Sequence, residues 1–126
     1  MIKEYKKGKS VSLSKHFNST EFDCHCKNPS CTVTYVDTDL IDKLEVARML
    51  LGDVIEITSG FRCVSHNKVA GGKIGSYHLQ GKAADISAST VPLAKVRSVC
   101  EIFDGLGKAR TFTHVDVRGY KARWVY

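Results

Sequence analysis

Residues 76–86 read SYHLQGKAADI, and this stretch decides how the rest of the chain is interpreted. It places His78 and Asp85 seven residues apart, with Gly81 and small residues between them. The run that overlaps its end, KAADISA, is short and apolar and ends in small polar residues, which is typical of a buried strand. Because glycine and alanine permit a close turn, we expect the loop that carries His78 to lie near the strand that carries Asp85.

A second informative segment, THVDVR, covers residues 113–118. Strand alternation places His114 and Asp116 on one face, with valines on the other. Taken alone, such a pattern is typical of a strand with one solvated polar face. Together with His78 and Asp85, however, His114 completes a set of two imidazoles and one carboxylate. Catalytic zinc commonly has three protein ligands of these types and keeps a fourth position for water.

Hydrophobic spacing elsewhere predicts an α+β fold, with two principal helices packed on a small, mainly antiparallel sheet. Residues 37–52 favour a helix that Asp37 or Thr38 caps and Gly52 ends. A second helix is predicted in residues 91–105, with Pro92 in its first turn. The predicted strands are residues 54–60, 82–88, 110–119 and 122–126.

The length of 126 residues is enough for one domain. We expect residues 1–12 to be a flexible basic segment and residues 13–126 to form a single domain, loop-rich as far as residue 36. No apolar run is long enough to span a membrane, and the start of the chain lacks the apolar core of a secretory signal. The expectation is therefore synthesis in the cytoplasm.

The formal net charge of +6 favours an anionic partner, such as a cell-wall polymer, a membrane surface or nucleic acid. A solvated basic tail is the simpler alternative, because five lysines lie within the first fifteen residues. No base-reading motif accompanies the charge, so specific nucleic-acid binding is not expected.

Five cysteines leave three interpretations open. All can be ordinary reduced thiols, and Cys100 fits the apolar face of a helix. Disulfides can instead tie the loop that contains Cys24, Cys26 and Cys31 to Cys63. The third interpretation is a second, structural metal site made of those three loop cysteines and His25.

Three motifs in order resemble the zinc D-alanyl-D-alanine carboxypeptidase family, which includes murein endopeptidases and phage endolysins and shares its fold with the hedgehog signalling domain. They are SGFR at residues 59–62, the Ser-x-His-x-x-Gly-x-Ala-x-Asp pattern at residues 76–85, and HVDVR at residues 114–118. The resemblance extends from about Leu13 to Trp124. It implies a hedgehog-like metallopeptidase fold and a zinc peptidase.

The resemblance also implies roles for single residues. His78, Asp85 and His114 are the implied zinc ligands. Arg62 is expected to face the substrate and clamp a carboxylate or a carbonyl, although a surface ion pair would be the simpler interpretation without the motif. Ser76 is expected to orient its loop or to donate to substrate.

The general base departs from the family's pattern. Several members carry an acid three residues before the last histidine ligand, and this position is Thr111, which is not a base. We therefore predict that Asp116 accepts the proton of the attacking water. The alternative is that Asp116 hydrogen-bonds a ligand histidine and fixes its orientation.

The resulting hypothesis is a monomeric zinc peptidase that hydrolyses peptidoglycan stem peptides at the cell wall, as a D,D-carboxypeptidase or a murein endopeptidase. A phage-encoded lysis enzyme fits a single short domain. The alternative is a non-catalytic module for wall binding or virion structure that keeps zinc for stability, because a fold alone does not establish turnover.

Overall fold

The computed structural model describes residues 1–126 and has the α+β architecture predicted from the sequence. A five-stranded sheet has the order β3-β4-β6-β5-β7, and a separate two-stranded sheet pairs β1 with β2. The strands are β1 (Ile2–Lys6), β2 (Val33–Asp37), β3 (Glu56–Ser59), β4 (Ala83–Ser87), β5 (Gly105–Lys108), β6 (Thr113–Asp116) and β7 (Ala122–Val125). All pairs in the larger sheet are antiparallel except β5 with β7.

The register of the central strands sets the position of the polar side chains. β4 and β6 are antiparallel neighbours, and Asp85 lies directly opposite His114. Two residues along, Ala83 lies opposite Asp116 on the same face. The pairing therefore brings a carboxylate and an imidazole from distant parts of the chain into contact range.

The first helix, α1 (Thr38–Leu51), confirms the prediction from its spacing and caps. The Asp37 side chain accepts a hydrogen bond from the backbone N–H of Asp39, and Gly52 ends the helix in the left-handed conformation. Its apolar side, which includes Leu40 and Leu44, is fully buried in the main hydrophobic core.

The other helices are short. α2 (Val64–Val69) lies in the glycine-rich region, and α3 (Leu93–Val99) is followed by a single 3₁₀ turn, Cys100–Ile102. The predicted second helix is thus shorter than expected, and Pro92 precedes it rather than lying in its first turn. No helix of this structure is both long and apolar enough to cross a lipid bilayer.

Three strands depart from the expectations. The N-terminal segment, predicted to be flexible up to residue 12, contains β1, which pairs along its whole length with β2 in the region predicted to be loop. The sequence of β1, IKEYK, is largely charged and exposed, so its pairing depends on backbone hydrogen bonds rather than on an apolar face. β5 was not predicted from the sequence, because it contains two glycines, Gly105 and Gly107, which in isolation favour a turn.

Candidate metal centre

The three predicted zinc ligands meet at one point of the central sheet. The Nε2 atom of His78 lies 3.3 Å from Oδ1 of Asp85, and the Nδ1 atom of His114 lies 3.2 Å from the same oxygen. Their donor atoms all lie within 4.8 Å of one another, and the two imidazole rings are 5.1 Å apart between centroids. All three residues are buried.

Two of these donor atoms have no hydrogen-bond partner although they are buried. They are Oδ1 of Asp85 and Nδ1 of His114. The atoms lie close enough for hydrogen bonding, but their directions do not satisfy it. Because burying an unpaired polar atom is costly, such atoms require another explanation. Lone pairs that converge on one point fit a metal ion, and a set of two imidazoles and one carboxylate suits zinc.

Two hydrogen bonds orient His78, one from its imidazole ring and one from its backbone N–H. Its Nδ1 lies 2.7 Å from the carbonyl oxygen of Gly60 and donates to it, which leaves Nε2 free to face Asp85. The residue lies in the 3₁₀ helix Tyr77–Gln80, and the Ser76 hydroxyl caps that helix by accepting from the backbone N–H of His78. This contact is the kind expected of a residue that orients its loop, and donation from Ser76 to substrate stays a prediction.

Arg62 contacts the second carboxylate oxygen of Asp85. Its Nη2 donates to Oδ2 at 3.1 Å, while its Nε and Nη1 donate to Ser59 and Asn67. The guanidinium group is therefore mostly engaged within the protein, and its side chain is only 14% exposed. Because Oδ2 is occupied, Oδ1 of Asp85 is the oxygen that points toward the imidazoles of His78 and His114.

Asp116 is fully buried and saturated with hydrogen bonds. Its Oδ2 accepts from Nε2 of His114 at 2.7 Å and from Nη2 of Arg118 at 2.7 Å. Its Oδ1 accepts from the backbone N–H and Nε of Arg118. When the imidazole of His114 is neutral and Nε2 carries the proton shared with Asp116, Nδ1 presents a lone pair toward Asp85.

These contacts shift the pKa values of both carboxyl groups. Burial alone would raise the pKa of Asp116, but hydrogen bonds from His114 and Arg118 lower it to about 2. Burial likewise opposes ionisation of Asp85, yet its contacts with His114 and His78 hold its pKa well below the usual range. Both groups are therefore ionised at neutral pH. A carboxylate with so low a pKa is a weak proton acceptor.

Sequence reasoning did not identify the residues that enclose His114. The Trp124 ring lies 5.1 Å from the His114 ring between centroids. It fits there because Gly107, its partner in β5, has no side chain, and a Cβ at that position would lie 2.5 Å from the indole. Gly105 similarly leaves room for Asp116, since a Cβ would lie 2.1 Å from its Oδ2. Two glycines within a four-residue strand could have signalled this close approach.

Comparison with known proteins agrees with this architecture. A family model described as Peptidase M15 matches residues 15–116, which include all three candidate metal ligands. The chain therefore belongs to the M15 family, the zinc D-Ala-D-Ala carboxypeptidase-like peptidases. M15 peptidases depend on a metal ion, and the converging groups of this chain are suitable to hold one. No curated protein matches the chain.

Proposed function

We propose that this chain is a zinc-dependent peptidase that hydrolyses a peptide bond in peptidoglycan stem peptides, as a D,D-carboxypeptidase or a murein endopeptidase. The observation that carries this proposal is the convergence of His78, Asp85 and His114, with two buried donor atoms that lack hydrogen-bond partners. Membership of the M15 family supports the peptidase activity.

His78 would bind the zinc ion through Nε2, His114 through Nδ1 and Asp85 through Oδ1. When bound, zinc polarises a scissile carbonyl and lowers the pKa of water to roughly 7. The protein's own contribution is to fix the three donors before the ion arrives. Each ligand is hydrogen-bonded through an atom that does not face the metal position. The Gly60 carbonyl accepts from His78, Arg62 donates to Asp85, and Asp116 accepts from His114.

Asp116 acts in this proposal as a positioning residue, which is the second of the two roles predicted from the sequence. Its oxygen atoms are occupied by His114 and Arg118, and its pKa of about 2 makes it a poor base. Thr111, where several family members carry an acid, is exposed and has no ionisable group.

We propose that the main role of Arg62 is to orient Asp85, and that binding substrate is a second role. Three of its nitrogen atoms donate to Ser59, Asn67 and Asp85. A guanidinium has five N–H groups, so it can still donate to a substrate carbonyl from the same position. A substrate contact made in this way would use an arginine that is already rigid.

Peptidoglycan is the proposed substrate because its stem peptides carry carboxylates and the wall is anionic, whereas the protein has a net charge of +6. The protein is proposed to act at the wall as a monomer. A phage-encoded lysis enzyme is a proposal that fits the small domain and its basic charge.

Digestion of purified peptidoglycan, followed by mass spectrometry of the fragments, tests this function. Zinc-loaded wild-type protein should change the fragment masses, whereas His78→Ala and chelator-treated protein should not. Release of free D-alanine would identify a carboxypeptidase, and loss of cross-linked dimers would identify an endopeptidase. Unchanged fragments from protein with a filled His78–Asp85–His114 site would contradict the proposed activity.

One observation favours the alternative of a non-catalytic, zinc-stabilised wall-binding or virion module. The only carboxylates in contact with His114 are Asp85 and Asp116, and both are tied to histidine or arginine partners. Zinc binding and co-sedimentation with cell walls, without any change in fragment mass, would support this alternative.

A further inference from the structure

A second group of metal-binding side chains lies outside the candidate peptidase centre. It consists of four cysteines, Cys24, Cys26, Cys31 and Cys63, and is called here the thiol cluster. Their sulfur atoms all lie within 4.8 Å of one another. The cluster joins a loop near the N-terminus to the residue just before α2, so the four thiols meet only in the folded chain.

None of the four sulfur atoms is bonded to another, and two distances between them fit a tetrahedral metal site. Cys24 Sγ lies 3.7 Å from Cys63 Sγ, and Cys63 Sγ lies 3.8 Å from Cys26 Sγ. A disulfide bond would require about 2.05 Å. Four sulfurs arranged around a zinc ion with Zn–S bonds of about 2.3 Å lie about 3.8 Å apart, as the edges of a tetrahedron.

The surroundings of the cluster suit negatively charged thiolates. The ammonium group of Lys7 lies 3.6 Å from Cys26 Sγ and donates to the Cys26 carbonyl at 3.3 Å. The backbone N–H of Cys63 donates to Cys24 Sγ at 3.4 Å. A zinc ion with four thiolates has a net charge of −2, and a nearby cation and N–H donor stabilise such a charge.

We propose that the thiol cluster binds a structural zinc ion through Cys24, Cys26, Cys31 and Cys63. This site differs from the metal site considered from the sequence, in which His25 was the fourth ligand. His25 is exposed and is not part of the cluster, and Cys63 takes its place. Four protein ligands leave no open position, which is typical of a structural rather than a catalytic zinc site.

The position of Cys63 gives the site a structural role. Cys63 directly follows Arg62, the partner of Asp85, and Gly60, three residues earlier, accepts the hydrogen bond of His78. Zinc in the thiol cluster therefore ties the loop that carries Cys24 to the segment that orients two donors of the peptidase centre. The two sites share no ligand, so a substitution in one removes no ligand from the other.

Metal analysis of protein prepared under reducing, zinc-replete conditions tests the proposal. Wild-type protein should contain about two zinc ions per chain. Cys31→Ser and His78→Ala should each contain about one, and the control Cys100→Ala, which alters a thiol in the core, should keep both. X-ray absorption of the ion that remains in His78→Ala should show four sulfur neighbours at about 2.3 Å.

The proposal does not depend on Cys31→Ser folding, because cobalt substitution of the wild-type protein gives an independent signal. Cobalt bound to thiolates produces near-ultraviolet charge-transfer bands, which should also appear in His78→Ala. The proposal would be overturned if the zinc bound to wild-type protein had nitrogen and oxygen neighbours and no sulfur neighbours. Two hydrogens missing from the intact mass for each disulfide would also overturn it, as would iron in the cluster.

Discussion

The Nε2–H of His114 is hydrogen-bonded to Oδ2 of Asp116 at 2.7 Å, and the two residues belong to the same strand, separated by one residue. Residues two apart on a strand share a face, so their side chains meet without any turn. The bond fixes which nitrogen of His114 faces Asp85. In the proposed metal centre, this bond lets a fully buried carboxylate orient a ligand without contacting the ion.

Replacing Asp116 with asparagine tests this positioning role. We expect Asp116→Asn to weaken zinc binding at the His78–Asp85–His114 site about 10-fold to 100-fold, because the orientation and basicity of His114 depend on the carboxylate. Competition with a chelator measures this affinity, and the exposed Asp42→Asn is the matched control. If affinity is unchanged while turnover at saturating zinc is lost, Asp116 is the base instead.

Arg62→Lys should also weaken the metal centre. Lysine keeps the charge but loses the planar fork that contacts Ser59, Asn67 and Asp85 together, so Asp85 becomes less well fixed. We expect about a 10-fold loss of zinc affinity. The control is Arg110→Lys at an exposed position. Equal zinc affinity of the variant and the wild-type protein, with a raised KM, would favour a direct role in substrate binding.

The stability of the metal-free protein should fall in strong acid. The pKa of Asp116 is lowered to about 2 from the model-compound value of 3.8, so its contribution is complete above about pH 4 and is lost as pH falls through about 2. The contribution corresponds to about 2 kcal/mol. Burial lowers the pKa of His114, but its contacts with Asp116 and Asp85 outweigh this effect and raise the pKa above its ordinary value. His114 therefore titrates at a higher pH than Asp116.

Chemical denaturation of the metal-free protein between pH 2 and pH 5 measures this effect, with pH-stable denaturant and Asp116→Asn as the comparison. The variant lacks the ionisable group, so its unfolding free energy should depend less on pH in this range. Parallel curves for both proteins would show that Asp116 is not the group responsible.

Trp124 should report on the peptidase centre by fluorescence. It is the only tryptophan in the chain and packs against His114. Because metal binding would hold the His114 imidazole neutral and fixed, we expect zinc titration into metal-free protein to change the emission intensity. Cys31→Ser should keep this response and His78→Ala should lose it. A response that follows the thiol-cluster variant instead would contradict the assignment.

Much of the fold could be predicted because the signals are local. α1 has its caps and its apolar spacing within residues 37–52, and β4 and β6 are short apolar or alternating runs. β1 and β5 could not be predicted, since one is charged and the other contains two glycines. Their strand conformation depends on hydrogen bonds to β2 and β6, which lie elsewhere in the chain.

The sequence alone identified the candidate ligands, because His78, Asp85 and His114 stand in short motifs whose residue types suit zinc. It left open the role of Asp116 and the fate of the cysteines. The tertiary structure supplies the contacts on which our proposals for both rest, since sheet register and packing set the distances between side chains far apart in sequence. They place Asp116 against Nε2 of His114, the ring nitrogen that faces away from Asp85, and they bring Cys63 to the three loop cysteines. The order of residues along the chain does not determine either contact.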